Sequence, residues 1–228
     1  MSLVEKPRIK ICCIASVEEA RTAIRYGASA LGLVSEMPSG PGVIPEEAIA
    51  EIAALTPPGV DSFLLTCAQD VATLVGQQQR TGASVLQLCD SLLHGSYADL
   101  RTSLPGIRIV QVIHVTGSES LDEALAVAPY VHALLLDSGQ PSLPVKQLGG
   151  TGRIHDWLIS REIRLRCGVP VYLAGGLRPE NVRNAVREVQ PFGLDLCTGV
   201  RSDGRLDEGK LARFVAAVHN GELAEPAN

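Results

Sequence analysis

Residues 107–136 read IRIVQVIHVTGSESLDEALAVAPYVHALLL, and the pattern of their apolar positions changes twice. Ile107 to His114 is rich in β-branched residues and predicts a strand. Ser118 to Val127 carries Leu121, Ala124 and Leu125 at helical spacing and predicts a helix. Ala133 to Leu136 returns to a short apolar run, the mark of a strand buried on both faces. A strand, a helix and a second strand in that order make a parallel crossover unit.

The unit recurs on both sides. Upstream, strands are predicted at Ile9–Ile14, Ala30–Val34, Ser62–Thr66 and Ser84–Leu88. Their helices follow: Ser16, with Glu19 at capping-box spacing, opens one to Tyr26. Pro45 sits at the first turn of another reaching Leu55. Asp70–Arg80 and a weaker segment at Tyr97–Ser103 are the next two. Downstream, Ile154–Arg166 is a helix, Val169–Leu173 a strand, Pro179 opens a helix, Leu194–Cys197 is a strand and Glu208–His219 closes the chain. Eight β/α units in strict alternation predict an α/β fold, the (β/α)8 TIM barrel. A doubly wound open sheet is the rival, but no Gly-x-Gly-x-x-Gly follows the first strand.

The whole chain agrees with that reading. Its 228 residues suit one barrel domain spanning 1–228, with 221–228 expected to be a flexible tail. Hydrophobic residues make up 46% and aromatic residues 4%, so the core must be aliphatic, as barrel interiors are. A net charge of −5 argues against binding nucleic acid. No apolar run approaches the roughly 18 residues of a membrane span, and Met1–Lys10 does not resemble a signal peptide. Six cysteines without a CxxC pair read as reduced thiols, so a soluble cytoplasmic protein is expected, a monomer or homodimer.

Barrel sites lie at the C-terminal ends of the strands, so the strand list becomes a site list. It brings up Cys12 and Cys13, Cys89, His114, Asp137, Asp195 and Cys197. Gly175 and Gly176 follow strand seven, Gly199 follows strand eight, and Gly149-Gly150-Thr151-Gly152 lies in the loop after strand six. Glycines there let backbone N–H groups approach a phosphate; a plain tight turn before Pro179 is the other reading. Asp137 closes the run Ala-Leu-Leu-Leu-Asp, where a carboxylate serves either as a tuned acid or as a helix cap. Cys12 reads as a buried core cysteine or as a base. Thiols at Cys12, Cys13, Cys89 and Cys197 near His114 raise a metal site, but successive strand residues point to opposite faces, so Cys12 and Cys13 are not expected to share one.

Taken together, Lys10-Ile11-Cys12, Gly149-Gly150-Thr151-Gly152 with Asp156-Trp157, Leu173-Ala174-Gly175-Gly176-Leu177 with Pro179-Glu180-Asn181-Val182, and Asp195 ahead of Thr198-Gly199-Val200 resemble the phosphoribosylanthranilate isomerase family. The blocks run from strand one to strand eight. The resemblance implies a (β/α)8 barrel that catalyses an Amadori rearrangement without a cofactor or metal. It implies that Asp137 is the general acid and Cys12 the general base. Asp195 would lie near the substrate amine, and Gly175, Gly176, Thr198 and Gly199 would hold the phosphate of a small phosphorylated sugar.

The chain also departs from the family. Cys13 replaces the glycine after the motif cysteine, and Cys197-Thr198-Gly199-Val200-Arg201 replaces Ser-Ser-Gly-Val-Glu. Gln87-Leu88-Cys89-Asp90 replaces Gln-Leu-His-Gly. Ser39-Gly40-Pro41-Gly42 stands where the family has Ser-Pro-Arg, so the arginine that faces the anthranilate end is missing. Asp90, if it faces the mouth, would repel a carboxylate, and Arg201 is the nearest replacement cation. These changes predict weak handling of phosphoribosylanthranilate, to be improved by Gly42→Arg. The alternatives are a divergent barrel enzyme acting on another sugar phosphate and a non-catalytic phosphate-ligand binding protein.

Overall fold

A computed structural model describes residues 6–219; the proposed tail at 221–228 lies outside the described residues. Eight strands form a closed parallel barrel: β1 (Arg8–Ile11), β2 (Ala30–Val34), β3 (Asp61–Thr66), β4 (Val85–Leu88), β5 (Arg108–His114), β6 (Ala133–Asp137), β7 (Val171–Leu173) and β8 (Gly193–Leu196). Each pairs with its neighbours in sequence, and β1 pairs with β8, which excludes the open sheet. The helices that follow the strands are α1 (Val17–Arg25), α2 (Glu46–Leu55), α3 (Val71–Thr81), α4 (Tyr97–Ser103), α5 (Glu119–Val127), α6 (Trp157–Arg166), α7 (Val182–Val189) and α8 (Glu208–His219). No helix of the described residues is long and apolar enough to cross a membrane.

Strand alternation divides the buried residues into two cores. Ile11, Leu33, Leu64, Leu86, Ile113, Leu136, Leu173 and Leu196 belong to the cluster shared with the helices. Ala30, Phe63, Val85, Val110, Ala133 and Tyr172 belong to a second cluster inside the barrel. Phe63 and Tyr172 meet edge to face at 5.9 Å. They help to fill the barrel interior, so the site above is a mouth and not a pore.

Among the boundaries that differ from the sequence reading, three have a visible cause. β1 stops at Ile11 instead of Ile14: Cys13 takes a left-handed φ of 62°, and the Arg201 guanidinium binds the Cys12 and Cys13 carbonyls. Pro179 does not open α7, because Asn181 ties the loop by accepting from the Arg178 N–H (2.8 Å) and donating to the Gly176 carbonyl (2.9 Å). α6 begins at Trp157, after Asp156 caps it by accepting from the Leu158 N–H. At α1 Ser16 accepts from the Glu19 N–H as expected, but the Glu19 carboxylate also pairs with Arg201 at 2.9 Å. That long-range pair locks the end of β1 to the segment after β8.

Candidate active site

The site grows from β1 and β8. Lys10 is fully buried between Ile9 and Ile11 and opposes Asp195 in register. Its Nζ lies 2.9 Å from Asp195 Oδ1 and 5.2 Å from the centre of the Phe63 ring. Burial works against the charge on Lys10, but the Asp195 carboxylate, with Cys12 and Cys89 nearby, holds its pKa above the ordinary lysine value. Lys10→Met is expected to destabilise the fold by about 3–5 kcal/mol, because it leaves Asp195 buried without a counter-charge. Chemical denaturation of the variant reads this directly; an unchanged midpoint would mean that Asp195 has another partner.

Two residues beyond Lys10, Cys12 faces the same interior. A Cβ added to Gly32 would meet Cys12 Sγ at 2.9 Å and Lys10 Nζ at 3.2 Å, so thiol and ammonium flank one small space. The hydrogen bond with Cys13 lowers the Cys12 pKa, and the Lys10 charge adds to it; together they outweigh burial. Asp137 ends β6, is buried, and accepts from the Ser138 N–H at 2.7 Å. Burial raises its pKa, and the nearby negative Asp195 adds to the rise, against the Ser138 bond and the charges of His114 and Lys10. One group is tuned towards its anion and the other towards its acid.

Both line the cavity at the C-terminal mouth, together with Asp195, Gly175, Gly176, Thr198 and Gly199. The structure therefore brings the nominated acid, base, strand-eight aspartate and phosphate-loop residues to one place, whereas His114 stays outside the lining with its Nε2 3.0 Å from the Cys89 carbonyl. Gly176 has a φ of 62°, and a Cβ there would press on the Arg153 backbone, so the loop after β7 needs glycine to pass so close. A 3₁₀ turn, Thr198–Val200, starts at the mouth, and its first N–H groups have no acceptor within the turn. Arg178, Lys210 and Arg213 line a second depression that shares Gly152, Thr198 and Gly199. The opposite wall is apolar, with Val34, Met37, Leu65, Val112 and Leu148. The loop after β6 roofs it: Ser39 Oγ donates to the Lys146 carbonyl at 2.6 Å, and Ser138 Oγ meets Thr151 Oγ1 at 2.7 Å.

The family model for N-(5'-phosphoribosyl)anthranilate isomerase matches residues 9–217. The chain belongs to that family. N-(5'-phosphoribosyl)anthranilate isomerase 2 of Methanosarcina mazei is 36% identical over 93% of this chain and 94% of its own length. The isomerase of Haloferax volcanii is 35% identical over 92% of each. Among solved structures, the phosphoribosylanthranilate isomerase of Thermococcus kodakaraensis superposes with a TM-score of 0.77 at 28% identity, covering 94% of this chain and 99% of that one.

Within the isomerase family, the geometry revises several expectations. Asp90 does not line the mouth cavity; its carboxylate pairs with Lys146 Nζ at 2.5 Å, which cancels the expected repulsion. Arg201 is engaged by Glu19 and by the Gly204, Cys12 and Cys13 carbonyls, so it replaces no substrate-facing cation. Among the described residues, no lysine or arginine lines the cavity. Gly42→Arg is not a usable repair: Gly42 has a φ of 83°, and a Cβ there would overlap Cys13. The side chain that replaces the family's glycine at 13 thus fills the space that a side chain at 42 would need. Cys12 and Cys13 also both face the mouth, because the strand has ended and Cys13 is left-handed. Even so, among the described residues no three His, Cys, Asp or Glu side chains converge as metal ligands.

The role of Lys10 was missed by the sequence reading. Its signal was present: a lysine inside Arg-Ile-Lys-Ile must find a buried partner. The Asp90–Lys146 pair left no local signal, because 56 residues separate its members.

Proposed function

We propose that this chain isomerises N-(5'-phosphoribosyl)anthranilate to the corresponding 1-amino-1-deoxyketose phosphate in the cytoplasm, with Asp137 as general acid and Cys12 as general base. One observation carries the reading: an acid held towards its protonated form and a thiol held towards its anion share one cavity with a glycine-lined cradle. Asp137 protonates the ring oxygen, the C1–O bond opens, and the amine lone pair forms a Schiff base. The Cys12 thiolate then takes the C2 proton, and the electrons return to nitrogen to give an enolamine, which tautomerises to the ketose. Asp195, held by Lys10, lies near the substrate amine, and the apolar wall suits the aromatic ring.

The test is turnover of N-(5'-phosphoribosyl)anthranilate, followed by fluorescence, together with growth of a tryptophan auxotroph lacking the isomerase. No turnover and no growth would sink the reading. A second arm uses the substrate analogue without the ring carboxylate. With no lysine or arginine among the described residues lining the cavity, kcat/KM for the two should agree within about tenfold, whereas a lost charge-assisted bond of about 1.5–3 kcal/mol would separate them by roughly 10–150-fold. A larger gap would show that a cation reaches that end of the ligand after all.

Inorganic phosphate should inhibit competitively by occupying Gly175, Gly176, Thr198 and Gly199. Amide chemical-shift changes confined to other loops would place the anion elsewhere.

A further inference from the structure

The mouth holds more thiols than one proton transfer requires. β1 and β8 are in register at Ile11 and Leu196, so Cys12 and Cys197 leave neighbouring strands at one level. Neighbouring strands run about 4.8 Å apart. Cys13 follows Cys12 directly in the chain, and Cys12, Cys13 and Cys197 pack in one cluster at the mouth, where both neighbouring thiols push the Cys13 pKa up. All three are free and line the mouth cavity, where a small solute can reach them. Cys12 is the one held towards its thiolate, the form that attacks a peroxide.

We propose that Cys12, Cys13 and Cys197 form an oxidation relay that takes up hydroperoxide at the base and carries the disulfide away from it. In the first step the Cys12 thiolate attacks one peroxide oxygen. The O–O bond breaks, hydroxide leaves, and Cys12 becomes a sulfenic acid. The Cys13 thiol then attacks the Cys12 sulfur; an S–S bond forms, the S–O bond breaks, and water leaves with the thiol proton. Consecutive Cα atoms lie about 3.8 Å apart, below the usual 4.4–6.8 Å range of disulfides. Strained disulfides exchange readily. Cys197 therefore attacks the Cys13 sulfur, Cys12 departs as thiolate, and the Cys197 proton passes to solvent. One peroxide has been reduced, Cys13 and Cys197 have been oxidised, and Cys12 is again free to act as a base.

The experiment treats the whole protein with a molar excess of hydrogen peroxide, alkylates free thiols under denaturing conditions and maps the peptides by mass spectrometry. The expected product is a Cys13–Cys197 disulfide with Cys12 alkylated. Cys197→Ser should stop the relay one step early, at a Cys12–Cys13 disulfide. Cys13→Gly, which suits the left-handed backbone, should let Cys12 proceed to sulfinic and sulfonic acids that dithiothreitol does not reverse. A wild type whose Cys12 is over-oxidised while Cys13 and Cys197 stay reduced would overturn the proposal, and so would over-oxidation of Cys12 to the same extent with and without Cys13. The map of the wild type decides the matter even if a variant fails to fold. It needs no isomerase assay, so failure of the relay and failure of the proposed activity are distinguishable.

Discussion

Replacing Asp137 with asparagine is expected to lower kcat by about 10²–10⁴-fold, the usual effect of losing one positioned proton donor. The amide keeps the size of the side chain and can still face the Ser138 N–H, but it has no proton to give the ring oxygen. The affinity for inorganic phosphate, set on the β7 and β8 side, should change little. The pH profile supplies a sharper check. The wild type needs a protonated Asp137, so its activity falls as pH rises through that group's pKa, which burial raises. In Asp137→Asn the residual rate should lose this decline at high pH. A variant that turns over like the parent, or that keeps the decline, would remove Asp137 from the acid role.

Cys12→Ser is expected to lower kcat by a similar 10²–10⁴-fold, through the opposite limb of the profile. The base must be ionised, so wild-type activity falls as pH drops through the Cys12 pKa. The Cys13 hydrogen bond and the Lys10 ammonium hold that value down, which extends activity towards lower pH. A serine hydroxyl in the same place stays protonated, and the loss at low pH should vanish along with most of the rate. Measuring thiolate absorbance during a pH titration locates the ionisation independently of turnover. If the absorbance step and the kinetic limb lie at different pH values, another group is the base.

Much of the fold was legible because its information is local. A switch between strand and helix periods, repeated eight times, is written in neighbouring residues, and it led to the barrel without any knowledge of contacts. The barrel rule then turned strand ends into site residues, so Cys12, Asp137, Asp195 and the glycines after strands seven and eight could be nominated together. Roles for those residues came from resemblance to a family, not from spacing, since a lone aspartate after an apolar run fits a helix cap equally well.

The sequence by itself determined the order and character of the elements, and through them which residues reach the C-terminal mouth. Only the tertiary structure decided what those residues meet there. Lys10 finds Asp195 across the β1–β8 closure, Asp90 finds Lys146 across 56 residues, and Arg201 returns across 182 residues to Glu19. At the same closure β1 ends at Ile11, and a left-handed Cys13 lines the mouth beside Cys12. Backbone periods are fixed by the steric preferences of each residue and its nearest neighbours. Charge pairing and pKa tuning fall off with distance in space, and distance in space is set only when the eighth strand docks beside the first.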